Sequence, residues 1–276
     1  MMETARWRAV AGASSTRTVT VDRDDWNQHW DAYEAAVRIN PAQAFRSRLV
    51  AAALAFDRTT EPVRLLDIGS GQGDFARELL SRFPHVDYLG VELSRSGVEY
   101  SRAKVPHARF FEGDVQSPLT LPDEYRGWAT HAVCAEVLEH LDQPGRALGH
   151  VLPWLAPGAR LVVTVPGGPM SAFDRSIGHR RHYSHGDLAR LLRGAGFDHV
   201  SVRGAGFPFF NVYRLAVIAQ GDKLIQQAGQ PGFETRLAPR VASKVFASLF
   251  RLTTAHSRFG WQMVAEGIRP SGDAPR

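Results

Sequence analysis

The chain has one cysteine, Cys134, and it falls in an apolar run. A disulfide framework needs pairs and a thiolate zinc site needs several, so neither can be built, and a reducing cytoplasm is the expected setting. No uninterrupted apolar stretch of about 18 residues occurs, so the usual signature of a membrane-spanning helix is missing. A secretory leader is not expected either, because Arg6, Arg8 and the serine-rich stretch to Thr16 break up any apolar core at the N-terminus. Repeats and low-complexity tracts are missing as well. The net charge of +5 is carried by arginines that read as scattered along the sequence. That pattern does not indicate nucleic acid, and it suits an anionic acceptor or general solubility equally well. What is present is core-forming material: 276 residues, 44% hydrophobic, which fits one large α/β domain with extensions better than two independent domains.

The most informative stretch is Leu65 to Leu80, LLDIGSGQGDFARELL. An apolar run passes straight into a Gly-Ser-Gly-Gln-Gly turn, and a helical pattern follows with Phe75, Leu79 and Leu80 inward and Arg77 and Glu78 outward. A buried parallel strand, a tight loop and a helix start in that order form the ligand-binding corner of a Rossmann-like sheet. The loop reads G-x-G-x-G, not G-x-G-x-x-G, with Asp67 before it and Asp74 after it. Two carboxylates would repel a pyrophosphate and suit a ligand carrying an ammonium and a sulfonium. A second apolar run, DYLGVELS, ends at Glu92, where an acid can accept hydrogen bonds from ribose hydroxyls. A third, ARFFEGDV, ends at Asp114, suited to the exocyclic amine of adenine.

At these residues, and at VCAEVLEHL and ARLVVTVPGG beyond them, the sequence resembles the class I S-adenosylmethionine-dependent methyltransferases, from about Trp26 to Arg203 and again from Gly260 to Arg269. The resemblance implies a seven-stranded, mostly parallel Rossmann-like sheet whose last strand runs antiparallel between strands five and six. It implies that Asp67, Gly69, Ser70, Gly71 and Gly73 hold the methionine part of S-adenosylmethionine, Glu92 with Leu93 the ribose, and Asp114 with Val115 the adenine, with Glu136 lining the cofactor.

Around that sheet the pattern predicts a flexible segment over 1–22, a helical cap over 23–57 and a helical insertion over 208–259 between strands six and seven. In the cap, Asp24 or Asp25 starts a helix carrying Trp26, Trp30 and Tyr33; Asn40-Pro41 breaks it, and a second helix shows Phe45, Leu49 and Ala52 on one face. Tyr33 or Arg46 would touch the cofactor, as N-terminal helices do in the resembling family. Pro144 to Leu155 reads as a helix, Pro157-Gly158 as a turn, and Ser184 as the N-cap of a helix with Leu188, Leu191 and Leu192 inward. The insertion reads as two helices, Phe210 to Gln227 and Arg240 to Thr254, the second presenting Val241, Val245, Leu249 and Leu252. It can roof the acceptor pocket, form a homodimer contact or lie on a membrane surface.

The candidate chemistry follows strand four, in AEVLEHL. If 136–140 form a helical turn, Glu136 and His140 share a face with Glu139 beside it. His140 is then a general base oriented by a carboxylate, or Glu136, Glu139 and His140 ligate a divalent metal that acidifies the acceptor oxygen. The spacing E-x-x-E-H is similar to that of metal-dependent methyltransferases in which a later histidine completes the site, and here GHRRHYSH offers His179, His182 and His185. Arg180 and Arg181, with Tyr183, could clamp an anionic group of the acceptor. The expected activity is methyl transfer to a small molecule, on a hydroxyl oxygen. Methylation of a carboxylate is the alternative within the class, and a non-catalytic scaffold is the alternative outside it.

Overall fold

The computed structural model describes residues 40–56, 61–228 and 237–272, and the apolar runs become seven strands of one sheet. These are β1 (Arg64–Ile68), β2 (Asp87–Glu92), β3 (Arg109–Glu112), β4 (Ala129–Ala135), β5 (Leu155–Pro166), β6 (Asp198–Ala205) and β7 (Gln262–Ile268). Their order is β3-β2-β1-β4-β5-β7-β6; β7 runs antiparallel to β5 and β6, and the other pairings are parallel. Both faces of the central strands are covered, which is why they read as continuous apolar runs and not as alternation. Leu66, Ile68, Cys134 and Val163 face one core, and Leu65, Val133, Val162 and Val264 face the other.

The first core is closed by α4 (Pro144–Val151) and α6 (His185–Gly194). The second is closed by α1 (Pro41–Leu54), α2 (Asp74–Arg82), α3 (Arg95–Lys104) and the inserted helices α7 (Phe209–Ala228) and α8 (Leu237–Leu249). A short α5 (Ala172–Ser176) follows β5. Asn40 and Pro41, expected as a break, start α1: the Asn40 side chain accepts from the Ala42 N–H at 3.0 Å and proline fills the first helical position. Ser94 and Ser184 cap α3 and α6 in the same way.

Several local readings are corrected. In α1 Ala52 is exposed, because burial covers most of the helix circumference and the one exposed row is Ala44, Arg48 and Ala52, with Phe45 and Leu49 at its edge. Pro157-Gly158 is not a turn before strand five. It lies inside β5, where the pairing jumps from Ala129↔Leu155 to His131↔Arg160 and Gly158, at φ 77°, absorbs the bulge. The helix from Pro144 ends at Val151 and tightens into a 3₁₀ turn over Leu152–Trp154, since Pro153 has no N–H to continue it. In α8 and the turn after it, Val241, Val245 and Leu252 are exposed, while Phe246 and Phe250 point inward. The helix predicted from Asp24 or Asp25, with Tyr33, and the segment 1–22 lie outside the described residues.

The aromatic side chains decide how the insertion sits. Phe45 of α1, Phe210 of α7 and Phe250 after α8 form a triangle with ring centroids 5.1, 5.3 and 5.6 Å apart. Tyr213 and Phe246 extend it. This cluster ties the insertion to the N-terminal side of the sheet. Phe250→Ala should therefore lower unfolding stability by about 3 to 5 kcal/mol, as for other buried phenylalanines. Urea denaturation followed by circular dichroism checks this, and a loss below about 1 kcal/mol would mean that α8 packs independently.

Candidate functional site

Between β1 and β4 the strand order reverses: the chain leaves β1 for α2 on one face and β4 for α4 on the other. Such a switch point opens a crevice beyond the carboxyl ends of the strands. A cavity of about 660 Å³ occupies it, walled on one side by Asp67, Gly69, Ser70, Gly71, Glu92, Leu93, Asp114 and Val115. All the expected cofactor residues lie there except Gly73, which instead starts α2. Gly69 turns at φ 74°, and a Cβ on it would lie 2.4 Å from Val137 Cγ2, so only glycine lets the β1 and β4 loops approach this closely.

The acids are fixed by the backbone. Glu92 is buried, and its two oxygens accept from Gly71 N–H and Ser94 N–H, both at 2.9 Å. A carboxylate has about four acceptor positions, so each oxygen keeps capacity for a ribose hydroxyl. Asp114 Oδ1 accepts from Gln116 N–H at 2.8 Å. Asp67 accepts a hydrogen bond from Tyr88. Burial pushes the Asp67 carboxyl up to about 7; the Tyr88 bond opposes this and the Glu92 charge adds to it. An acid this reluctant to ionise gains most from a cation brought against it. Asp74 also lies on the wall, but Lys104 Nζ sits 2.9 Å from it, so its charge is already balanced. The donor set fits a ligand with a cationic end, a ribose and an amine-bearing base.

The turn after β4 differs from the expected helical one. Glu136 takes a left-handed conformation at φ 57°, and the 3₁₀ turn begins only at Leu138 (Leu138–His140). Glu136 Oε1 accepts from Gln262 Nε2 at 2.8 Å, and Oε2 lies 3.2 Å from Arg46 Nε. Both its oxygens are thus engaged, and it is not among the groups that converge on His140. Among the described residues two triads bring their ligand atoms within 4.8 Å of one another: Glu139, His140 and His179, and, sharing His179, Asp174, His179 and His182, where Arg214 already occupies the Asp174 carboxylate. Glu139 is fully buried with no hydrogen-bond partner on either oxygen; burial, then Glu136, raises its pKa well above the usual range.

His140 and His179 meet edge to face with centroids 4.8 Å apart. Behind them His179 Nδ1 lies 3.2 Å from His182 Nε2, and His182 Nδ1 lies 3.2 Å from the Gly168 carbonyl. A carbonyl only accepts, so His182 carries its proton on Nδ1 and receives the Nδ1–H of His179, which leaves His179 Nε2 as a lone pair. Burial, then His140, holds the His179 pKa well below its ordinary value, so it is a neutral imidazole. His179 lines the cavity; His182 stands behind it.

Arg180, Arg181 and Tyr183 do not line the cavity. Arg180 pairs with Asp142, and its N–H donates to the Glu139 carbonyl at 2.8 Å. Arg181 reaches the Leu141 and Asp142 carbonyls at 3.2 and 3.1 Å, and Tyr183 O–H donates to the Leu138 carbonyl at 3.0 Å. The expected acceptor clamp is in fact a clamp on the turn that carries His140. The cavity's far wall comes from side chains that the motif reading missed: Phe173 and Ile177 around α5, Phe210, Tyr213, Arg214 and Val217 of α7, and Trp261. Arg214 is held on Asp174 by bonds of 2.8 and 2.9 Å, so both cavity arginines, Arg46 included, are ion-paired. An arginine and a tyrosine inside the otherwise apolar FFNVYRLAV were the available signal.

A glycine loop and acids converging on a switch-point crevice define the class I S-adenosylmethionine-dependent methyltransferases. Residues 28–202 match the family model of a methyltransferase domain, and the chain belongs to that family. It is 30% identical over 214 residues to the demethylmenaquinone methyltransferase of Deinococcus radiodurans, covering 75% of this chain and 81% of that protein. It is 29% identical over 114 residues to the malonyl-[acyl-carrier protein] O-methyltransferase of Halalkalibacterium halodurans, an alignment covering 40% of this chain and 42% of that one. A Thermotoga maritima S-adenosylmethionine-dependent methyltransferase superposes with a TM-score of 0.57 at 20% identity, covering 88% and 97% of the two chains. The cofactor is S-adenosylmethionine.

The Asp67 carboxyl must ionise to receive a cation, which gives cofactor binding a pH dependence. Below about 7 Asp67 is protonated and affinity should fall, by up to about tenfold per pH unit; above it affinity should level off. Calorimetric titration from acid to mildly alkaline pH tests this. Asp67→Asn should bind more weakly with a flat profile, and a flat profile for the unaltered chain would contradict the assignment.

Proposed function

We propose that the chain methylates a hydroxyl oxygen on a small, largely apolar acceptor bound beneath α7, with His140 as the general base. The observation that carries this reading is His140 on the cavity wall, backed by the neutral His179 and its ordered tautomer chain to Gly168. When bound, S-adenosylmethionine supplies a methyl group already activated on a sulfonium. The chain therefore has to align the acceptor and take up one proton. Alignment can supply as much as about 7 to 11 kcal/mol of the barrier. The apolar wall of Phe173, Ile177, Phe210 and Val217 would exclude water from the reacting oxygen, and the internal Arg46–Glu136 and Arg214–Asp174 pairs leave little net charge for an anionic acceptor. Among the relatives, the malonyl-[acyl-carrier protein] enzyme is an O-methyltransferase by name, which supports oxygen as the acceptor atom without separating a hydroxyl from a carboxylate. The carboxylate alternative keeps the support of the malonyl-[acyl-carrier protein] and trans-aconitate relatives but loses its expected clamp, since the guanidinium groups of Arg180 and Arg181 are engaged elsewhere.

A second reading is favoured by the buried, unpartnered Glu139 carboxylate beside two imidazoles. Glu139, His140 and His179 would hold a divalent cation, which lowers the pKa of a bound hydroxyl. Turnover with methyl-labelled cofactor and a panel of hydroxylated acceptors separates the readings. For the base, His140→Ala should lower kcat by about 10² to 10⁴ with cofactor affinity unchanged, and turnover should ignore chelator. Loss of turnover in chelator with rescue by magnesium or zinc would favour the cation. Full activity of His140→Ala would remove both.

A further inference from the structure

The basic excess reads as scattered, but it is concentrated in one segment. Residues 208–259 hold seven Lys and Arg against two acids, Asp222 and Glu234, which accounts for the whole net charge of +5; the remainder of the chain is balanced. The stretches 207–220 and 241–260 contain no acidic residue at all. Most of the strongly exposed large apolar side chains of the described residues lie in the same segment or, like Phe207, next to it. Among the described residues nine large hydrophobics are strongly exposed, and seven of them are Phe207, Val212, Leu215, Val241, Val245, Leu252 and Phe259.

These are not stray residues on separate elements. Phe207 and Phe259 stack with centroids 5.7 Å apart, and Arg258 lies over the Phe259 ring at 4.7 Å. Thr254 N–H donates to the Phe207 carbonyl at 2.9 Å, which brings the turn carrying Arg251 and Leu252 to the same corner. Val212 follows one turn after Pro208, and Leu215 three residues later on the same side of α7. On α8, Val241 and Val245 flank Lys244. Leu252 is 68% exposed and Phe259 55%, far beyond what packing within the chain explains.

We propose that this face of α7 and α8 docks the enzyme on an anionic lipid bilayer, with the apolar residues in the acyl boundary and Lys244, Arg251 and Arg258 at the headgroups, Arg214 being turned to the cavity and Asp174. Lipid accounts for both observations at once, since apolar side chains with a basic surround are the signature of a helix lying in the interface. A second copy of the chain would set two faces of the same positive sign against each other. Nucleic acid would take the cations and leave the large apolar groups in water. No described helix is long and apolar enough to cross a membrane, so the contact is one of lying on the surface. The opposite side of α7, with Phe210, Tyr213 and Val217, walls the cavity, so docking brings the bilayer to within about one helix diameter, some 10 Å, of the acceptor site. The inference does not depend on which acceptor is methylated.

The test is cosedimentation of the full chain with vesicles of phosphatidylcholine alone or with about one third phosphatidylglycerol. The chain should pellet with the anionic vesicles at least about tenfold more tightly than with the neutral ones, and be released by salt. Val245→Asp with Leu252→Asp should cut binding by a similar factor, with melting temperature and cofactor affinity unchanged. Lys244→Glu with Arg251→Glu should do the same. Failure to pellet with anionic vesicles, or unchanged binding by both double variants, would overturn the proposal. So would a dimer in solution that Val245→Asp dissociates, or tighter binding to duplex DNA than to vesicles at equal salt. Retained cofactor binding in those cases would leave the methyltransferase assignment standing.

Discussion

The divergence of β1 and β4 is the constraint on which the rest depends. Because their helices leave on opposite faces, the two strands end side by side with a crevice between the loops that follow them. The loops that follow can approach only where Gly69 has no side chain to strike Val137. That close approach puts the Asp67, Glu92 and Asp114 carboxylates on one wall and the Glu139, His140 and His179 group on the other. One wall presents acids held in place, Glu92 and Asp114 by backbone N–H groups and Asp67 by the Tyr88 hydroxyl. The other is built from the imidazoles of His140 and His179, the latter held neutral, and an acid that burial keeps from ionising.

The structure supports the second wall from a distance. The segment after β5 uses Arg180, Arg181 and Tyr183 to grip the carbonyls of Leu138, Glu139, Leu141 and Asp142, so the His140 turn is fixed by main-chain contacts more than by its own residues. Arg180 and Arg181 thus brace the turn and do not face the cavity, whose remaining lining comes largely from the inserted α7 and from α5. The insertion has two faces, one walling the cavity and one exposed and apolar.

The cofactor half was legible because its signal is local. A strand, a glycine turn and a helix follow one another within Leu65 to Leu80, and the acids at 92 and 114 end the next two apolar runs. The catalytic half was legible in composition but not in geometry. Whether Glu136 and His140 share a face turns on one left-handed non-glycine residue, and sequence patterns assume otherwise. The fate of Arg180 and Arg181 was set by carbonyls some forty residues earlier, a long-range contact that no spacing reveals. In α8 the pattern contained two plausible stripes, and the larger aromatic pair, Phe246 and Phe250, took the interior from the valines.

The central claim is that the buried acids serve one cationic nucleoside. Calorimetric titration of S-adenosylmethionine into the unaltered chain and into Glu92→Ala tests it most directly. The account predicts one site per chain, weakened at least about tenfold when the ribose acid is removed, with the fold intact by circular dichroism. Binding that ignores the loss of Glu92, or no binding by the unaltered chain, would contradict it.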